Sequence, residues 1–215
     1  MPLPPLAPAF PGSKPLTRCS WEAADAPTTV ERGHRWKERL ILGFVRRTMG
    51  EATDVQRVLF HRPEFLGRPL GTITHHAMRL EGDWSIAERE LFAAYLSKQN
   101  RCDFCIVCHG EYASQAGNRA LVERTLRDGV AGDARIDAAL EFLTAFAAGP
   151  DALTPGHLDR LRGAGVRDEA IRDLAQIAFA FSLINRVADA LEFKVPEPAP
   201  FAKSWPRMRD SGYRF

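Results

Sequence analysis

The chain has 215 residues, of which 45% are hydrophobic and 26% are charged, a composition that can bury one large core. Because 29 basic and 27 acidic residues leave a net charge of only +2, and no long basic run is present, the composition argues against nucleic-acid binding. No stretch approaches the roughly 18 uninterrupted apolar residues of a transmembrane helix, so no association with a membrane is expected.

The first segment, residues 1–29, is rich in proline and has little periodicity, which predicts an extended arm outside the core. It lacks the basic cluster and unbroken apolar run of a secretory signal, so a cytoplasmic protein is expected. In a reducing compartment, closely spaced cysteines serve catalysis or metal binding more often than a disulfide framework. Cys19 stands alone in this arm and is assigned no role.

From Val30 onward, apolar residues recur with helical periodicity, and strand patterns are absent. We therefore predict an all-α domain of eight or nine helices over residues 30–193, followed by a Pro-rich C-terminal tail over residues 194–215. The first helices are predicted for RWKERLILGFVRRTM and DVQRVLFH. A third is predicted for EFLGRPLGTITHHAMRL, with a kink near Gly67 and Pro69.

The middle of the chain carries the clearest helix start, because Ser85 and Glu88 fit a capping box. This helix is predicted to run from about Ile86 to Lys98, and the cysteine-containing segment after it is predicted to be helical to about Ala116. Later helices are predicted for NRALVERTLRD, for ARIDAALEFLTAFAA, for the segment that begins at Thr154-Pro155, and for a long apolar segment from Asp168.

The segment CDFCIVCHG concentrates three of the four cysteines and one histidine at the start of a predicted helix. At about 100° per residue, Cys102, Cys105 and His109 share one helix face, whereas Cys108 lies at its edge. A C-x-x-C pair at a helix N-terminus favours redox chemistry, because the sulfurs can form a disulfide and the helix dipole lowers the thiol pKa, most strongly for Cys102. His109, one turn beyond Cys105, can accept the thiol proton.

Glu90 stands on the preceding helix, twelve residues before Cys102. If the two helices pack as a hairpin, its carboxylate faces the thiols. In such apolar surroundings its pKa is expected to be raised, so that it can transfer protons near neutral pH. The alternative interpretation is an ordinary solvated helix residue.

Three other interpretations of the cysteine cluster stay open. The letters from Cys105 to His109 match the C-x-x-C-H haem-attachment motif, although such attachment normally occurs in exported proteins. Cys102, Cys105, Cys108 and His109 could be counted as four zinc ligands, but on one helix they spread over too wide an arc, and no second ligand pair exists. The cysteines could also be small hydrophobic residues of a buried helix.

Polar residues interrupt the long apolar helix near the C-terminus. Asn185, Arg186 and Asp189 need partners in such surroundings, which predicts a buried hydrogen-bonded network or a subunit contact. His75 and His76 have no carboxylate or cysteine at ligand spacing, so they are interpreted as core or surface histidines.

The run from Ser85 to His109, SIAERELFAAYLSKQNRCDFCIVCH, resembles the active-site segment of the AhpD-like alkylhydroperoxidase family, in the carboxymuconolactone decarboxylase-like superfamily. The later run LTPGHLDRLRGAGVRDEAIRDLAQIAFAFSLINRVADAL resembles the uncharacterised peroxidase-related subgroup. The resemblance extends from about Val30 to Leu191. It implies an AhpD-like multi-helix bundle that assembles as a homo-oligomer, commonly a trimer or hexamer.

The resemblance also implies a thiol-dependent peroxidase. Cys105 would be the peroxidatic nucleophile and Cys102 the resolving thiol, with Glu90 and His109 as the proton relay. The substrate would be a small peroxide, and the reductant an external dithiol of the lipoamide or thioredoxin type, with no tightly bound cofactor and no metal. Cys108 stands where related sequences often carry a second histidine. The alternative is a redox-sensing or structural protein of the same fold. Decarboxylation of a muconolactone is disfavoured, because that branch lacks the dithiol motif.

Overall fold

The computed structural model describes residues 33–49, 54–195, 197 and 199–214. The predicted arm over residues 1–29, with Cys19, lies outside these residues. The described part contains ten α-helices and no strand, which confirms the predicted all-α fold. The helices are α1 (Trp36–Met49), α2 (Asp54–His61), α3 (Arg68–Arg79), α4 (Ile86–Gln99), α5 (Asp103–Ala116), α6 (Arg119–Asp128), α7 (Ala134–Ala148), α8 (Pro155–Gly163), α9 (Asp168–Ala190) and α10 (Ala199–Ser211).

The predicted kink in the third helix is a π-helical turn, Pro63–Gly67, that leads directly into α3. A Cβ on Gly67 would lie 2.5 Å from the backbone oxygen of Leu59, so only glycine fits this close approach. Pro69 lies in the first turn of α3, where its missing N–H removes no helical hydrogen bond.

Helix α4 is the centre of the domain. It begins at the predicted capping box, in which the Ser85 N–H donates to Glu88 Oε2 at 2.7 Å and the Glu88 N–H donates to Ser85 Oγ at 3.2 Å. Every residue from Arg89 to Ser97 is buried. A helix buried on all sides has no room for unpaired polar groups, so each polar side chain of α4 needs a partner.

Helices α4 and α5 pack closely against each other as a hairpin, joined by a three-residue turn. Helix α9 crosses the pair, α7 packs against α4, and α10 packs against α5, while α3 lies against α9 and the start of the hairpin. Four helices, α4, α6, α9 and α10, therefore pack against α5, the helix that carries the cysteines.

Helix α10 is an element that the sequence analysis did not predict, because Pro206 and the neighbouring prolines suggested an irregular tail. It is held by aromatic contacts: Phe201 is buried, and its ring centroid lies 5.3 Å from that of Tyr112 on α5. Trp205, one turn later, stacks on the same tyrosine at 5.9 Å. Within the described ranges, no helix is both long and apolar enough to span a membrane.

Candidate active site

The two cysteines of the C-x-x-C motif lie where the α4–α5 turn enters α5. Arg101 adopts a left-handed backbone conformation with φ of 62°, which allows the chain to reverse sharply. Cys102 follows as the N-cap residue of α5, and its N–H donates to the Ser97 carbonyl at 2.9 Å. Cys105 lies in the first turn of the helix. Both cysteines are free thiols that are only 1% exposed.

The two thiols differ in acidity because they hydrogen-bond to each other. Donation from the Cys105 thiol lowers the pKa of the Cys102 thiol, although burial opposes this effect. The same hydrogen bond, together with burial, raises the pKa of Cys105 well above its usual value. Cys102 is therefore the more acidic thiol, as its position at the helix start predicted.

Asn185 on α9 links the thiol pair to α4. Its Nδ2 donates to Ser97 Oγ at 2.9 Å, and its Oδ1 accepts from Asn100 Nδ2 at 2.9 Å. It also hydrogen-bonds to the Cys105 thiol, which favours the thiolate. The prediction of a buried hydrogen-bonded network is confirmed for Asn185, which is 1% exposed. Asp189, one turn later, reaches Cys102 and opposes its ionisation.

Glu90 and His109 meet between α4 and α5. His109 Nδ1 lies 2.7 Å from Glu90 Oε2, and both side chains are buried. Since an ionised carboxylate can only accept, Nδ1 carries the proton in this hydrogen bond. In the described part of the chain, no group hydrogen-bonds to Nε2. The second nitrogen of the ring therefore keeps a lone pair that can accept a proton, the arrangement of a general base oriented by a carboxylate.

The pKa of Glu90 differs from the prediction. Burial does raise it, as expected, but the hydrogen bond and charge of His109 and then the Arg79 guanidinium outweigh burial and hold the pKa below its usual range. The prediction of a raised pKa was therefore wrong, because the sequence spacing revealed neither Arg79 nor the hydrogen bond between His109 and the carboxylate. Glu90 therefore remains a carboxylate near neutral pH and accepts the hydrogen bond from His109 Nδ1.

Two residues of the site were missed by the sequence analysis. Arg79, at the end of α3, donates from Nη2 to Glu90 Oε1 at 2.7 Å. Tyr213, beyond α10, donates its hydroxyl to Glu90 Oε1 at 2.8 Å and to Oε2 at 3.0 Å. The opposite side of the His109 ring packs edge-on against Phe181 of α9, with centroids 4.5 Å apart.

A signal for Tyr213 was present in the sequence but weak. Phe201, Trp205 and Met208 recur at helical spacing, which indicates an amphipathic helix despite the prolines. Such a pattern predicts that the tail packs somewhere on the domain, although it does not identify the site that the tail covers. For Arg79 we find no sequence signal, because an arginine near a helix C-terminus is ordinary.

Cys108 and the histidine pair are peripheral to this arrangement. Cys108 is 6% exposed, and burial strongly raises its pKa, so it is a poor nucleophile. His75 is a buried histidine, as one interpretation expected, and its Nε2 accepts from Arg214 at 3.1 Å, whereas His76 is exposed. Among the residues that the structure describes, no group of three or more histidine, cysteine or acidic side chains is arranged to hold a metal ion.

No protein-family model matches the chain, and neither does any curated protein. Solved structures do match. An uncharacterized peroxidase-related protein from Silicibacter sp. TM1040 has a TM-score of 0.66 and 24% sequence identity, over 77% of this chain and 87% of that chain. An alkylhydroperoxidase AhpD core, also an uncharacterized peroxidase-related protein, from Ralstonia eutropha JMP134 has a TM-score of 0.66 and 24% identity, over 79% and 90%.

The same fold occurs in the debrominase Bmp8, which has a TM-score of 0.63 and 17% identity over 79% of this chain and 91% of that chain. Proteins with different named activities therefore share this helical arrangement, so the likeness establishes architecture and leaves the reaction to be argued from the site. The chain has the AhpD-like fold, as the resemblance of its cysteine segment implied.

Proposed function

We propose that the protein is a thiol-dependent peroxidase that reduces hydroperoxides through its Cys102–Cys105 dithiol, with His109 as the base and Glu90 as the carboxylate that orients it. The observation that carries the proposal is the 2.7 Å hydrogen bond between His109 and Glu90, which joins α5, the helix with the thiol pair at its start, to α4. A buried dithiol, a base and a group that orients the base are the parts that thiol chemistry requires.

In the first step, His109 Nε2 accepts the thiol proton and the cysteine thiolate attacks the terminal oxygen of a hydroperoxide. The O–O bond breaks, the sulfur becomes a sulfenic acid, and the alkoxide leaves as an alcohol with the proton returned from His109. Glu90 stays ionised and stabilises the imidazolium that forms in between. The peroxide is reduced by two electrons and the sulfur is oxidised by two.

In the second step, the other thiol of the pair attacks the sulfenic acid and releases water, which gives the Cys102–Cys105 disulfide. An external dithiol, of the lipoamide or thioredoxin type, then reduces this disulfide by exchange and is itself oxidised to a disulfide. The cycle needs no tightly bound cofactor.

Different observations favour different cysteines as the residue that attacks the peroxide. The family resemblance and the position of His109 one turn beyond Cys105 favour Cys105 as the peroxidatic residue, and we retain this assignment. The lowered pKa of the Cys102 thiol and the strongly raised pKa of the Cys105 thiol both favour the opposite order. A dimedone-type probe distinguishes them: in Cys102→Ser the sulfenic acid should accumulate on Cys105, whereas its accumulation on Cys102 in Cys105→Ser alone would reverse the roles.

The proposed reaction is tested by peroxide consumption with dihydrolipoamide as the recycling dithiol. We expect turnover for the wild type and for Cys108→Ser, a matched control in which a buried thiol outside the pair is removed. Cys102→Ser and Cys105→Ser should lose turnover with the dithiol. Full activity in both of the latter variants would refute the proposal.

Two alternatives have distinct outcomes in the same assay. A redox sensor would form the Cys102–Cys105 disulfide with stoichiometric peroxide but would not turn over. A reductive dehalogenase would use the two electrons of the dithiol to replace a carbon–halogen bond by carbon–hydrogen and release halide. A cysteine-to-alanine variant of Bmp8 has been solved in complex with 2,3,4-tribromopyrrole, with a TM-score of 0.62 to this chain. Bromide release from that compound, without peroxide turnover, would favour the second alternative.

We also propose that the protein assembles as a homo-oligomer, a trimer or hexamer. The exposed apolar side chains of Trp36 (67%), Leu40 (64%) and Phe65 (79%) support an interface near α1 and the π-helical turn. Sedimentation equilibrium gives the subunit number directly, and a monomer at micromolar concentration would contradict this part of the proposal.

A further inference from the structure

Tyr213 is the only described residue beyond α10 that reaches the Glu90–His109 pair, and it contacts both oxygens of the carboxylate. Glu90 Oε1 accepts from Arg79 and from Tyr213, while Oε2 accepts from His109 and from Tyr213. The Tyr213 hydroxyl also lies 3.3 Å from His109 Nδ1. Arg79 thus donates to one carboxylate oxygen and His109 to the other, and the single hydroxyl hydrogen of Tyr213 is shared between the two.

Burial and contacts with Arg79 fix the position of the Tyr213 side chain. Its side chain is 9% exposed, and the Arg79 guanidinium lies 5.0 Å from its ring centroid, a cation–π distance. The same guanidinium donates to the Met208 carbonyl at 3.3 Å. One arginine therefore holds both the carboxylate and the segment that delivers the tyrosine.

Gly212 sets the approach of this segment. Its φ is +60°, a conformation that disfavours residues with a Cβ, and a Cβ there would lie 2.6 Å from His75 Nδ1. The chain can pass over His75 closely enough to insert the next side chain only because residue 212 has none. The backbone and the neighbouring arginine both specify where the tyrosine ring goes.

We propose that Tyr213 is a positioning residue of the Glu90–His109 pair: its hydroxyl holds the Glu90 carboxylate in the orientation that keeps His109 Nε2 available as the base. The proposal deepens the proposed function and rests on it, because it assigns a further residue to the same pair of base and orienting carboxylate. Without the hydroxyl, each carboxylate oxygen keeps a single donor, and the side chain gains freedom to rotate away from the histidine.

The hydroxyl is a donor throughout the neutral range, because burial raises the pKa of Tyr213 well above its usual value. A donor to the ionised form of a carboxyl lowers its pKa, so removal of the hydroxyl raises the pKa of Glu90. The Glu90–His109 pair then keeps its proton to a higher pH, so a higher pH is needed before His109 can act as the base. The titratable or charged groups that face Glu90 are Arg79 from α3, Cys108, His109 and Tyr112 from α5, and Tyr213 itself.

The test is the pH profile of thiol alkylation by iodoacetamide, which needs no peroxide. For Tyr213→Phe, which keeps the ring under Arg79, we expect the acid limb to move up by about half a pH unit, a loss of about threefold in rate on that limb, with an unchanged plateau. The matched control is Tyr112→Phe. It removes another buried tyrosine hydroxyl beside the same histidine, one that bonds to Ser204 rather than Glu90, and its profile should match the wild type.

Gly212→Ala provides a second variant that leaves the tyrosine intact but obstructs its approach, and it should shift the acid limb in the same direction. A Tyr213→Phe profile that superimposes on the wild type, or a Tyr112→Phe profile that shifts equally, would overturn the proposal. Failure of the peroxidase proposal is separate: the wild type would then show no peroxide turnover while the alkylation profile of Tyr213→Phe still shifted.

Discussion

Arg89 and Glu90 are neighbours on α4, and both side chains are almost fully buried, at 1% and 0% exposure. Their charges are satisfied in different ways. Arg89 donates to the backbone carbonyls of Trp84 and Ala77, at 3.1 and 2.8 Å, and to Asp173 at 2.6 Å. These bonds tie α4 to α9 and to the end of α3, and two of the three acceptors cannot change protonation.

Glu90 is instead surrounded by side chains only. Its donors are Arg79, His109 and Tyr213, and the histidine has a second nitrogen that can take up a proton. A buried charge bound to backbone fixes structure, whereas a buried charge bound to a titratable ring can transmit a change in protonation. Arg89 therefore belongs to the contacts that hold α4 in the fold, whereas Glu90 belongs to a group of side chains that can respond to protonation.

The largest effect is expected for Glu90→Gln. Loss of the carboxylate leaves His109 without the anion that stabilises its protonated form, so the peroxide rate constant should fall about 10²- to 10⁴-fold. Stopped-flow measurement with excess peroxide gives this constant. Glu111→Gln is the matched control, because Glu111 is a mostly buried glutamate that bonds to Arg119 away from His109, and its rate should stay within about twofold. Equal losses in both variants would remove the special role of Glu90.

Arg89→Met should act on stability instead. It leaves Asp173 and two carbonyls without their donor, and we expect the free energy of unfolding to fall by about 3 kcal/mol, at the low end for broken buried pairs because Asp173 is partly exposed. Urea denaturation measures this loss, and the rate per folded molecule should not change. Arg119→Met, at an exposed pair, should lose much less stability. A stable Arg89→Met variant with impaired thiol chemistry would reverse the assignment.

Acidic pH should reduce the contribution of Glu90 to the free energy of unfolding. Because the pKa of folded Glu90 is depressed, its stabilisation is fully present above the unfolded value of 4.5 and is lost as pH falls through the lower folded pKa. The stability advantage of wild type over Glu90→Gln should therefore shrink below about pH 4.5, by about 2 kcal/mol. Urea titrations of both proteins between neutral and acidic pH test this, and a constant difference would contradict the lowered pKa.

The smallest effect is expected for Glu169→Gln, in an exposed pair with Arg172 at 2.8 Å in the first turn of α9. Solvent screening should limit the loss to about 0.5 kcal/mol or less in the same denaturation experiment. This variant shows how much free energy of unfolding is lost when an exposed charge outside the site and outside the core is removed. A loss of stability as large as that of Arg89→Met would show that solvent exposure does not distinguish Glu169 from the buried charges Arg89 and Glu90.

Much of the fold could be predicted, because its helices are marked locally. The Ser85 capping box and the prolines at helix starts fix where helices begin, and the predicted segments match the described helices from Trp36 to Ala190. Helix α10 was not predicted, since Pro206 argues against a helix, and only its packing on Tyr112 and its neighbours compensates for that preference.

In the candidate site, too, some residues could be predicted from the sequence and others could not. Helical phase along one helix selected Cys102, Cys105 and His109. Spacing alone left Glu90 open between a site residue and a solvated helix residue, and the family resemblance selected it. Arg79 and Tyr213 could not be selected, since they lie outside this hairpin, at the end of α3 and after α10. Helical phase within a hairpin does not show which side chains of other elements pack against it.

The sequence by itself determined the dithiol, its position at a helix start, and the two consecutive helices that carry Glu90 and His109. These features follow from helical geometry and capping, which act over a few residues. The tertiary structure decided the charge state of Glu90 and the closure of the site by the C-terminal segment. Both depend on burial and on donors brought from distant parts of the chain, and a pKa responds to that complete environment rather than to sequence neighbours.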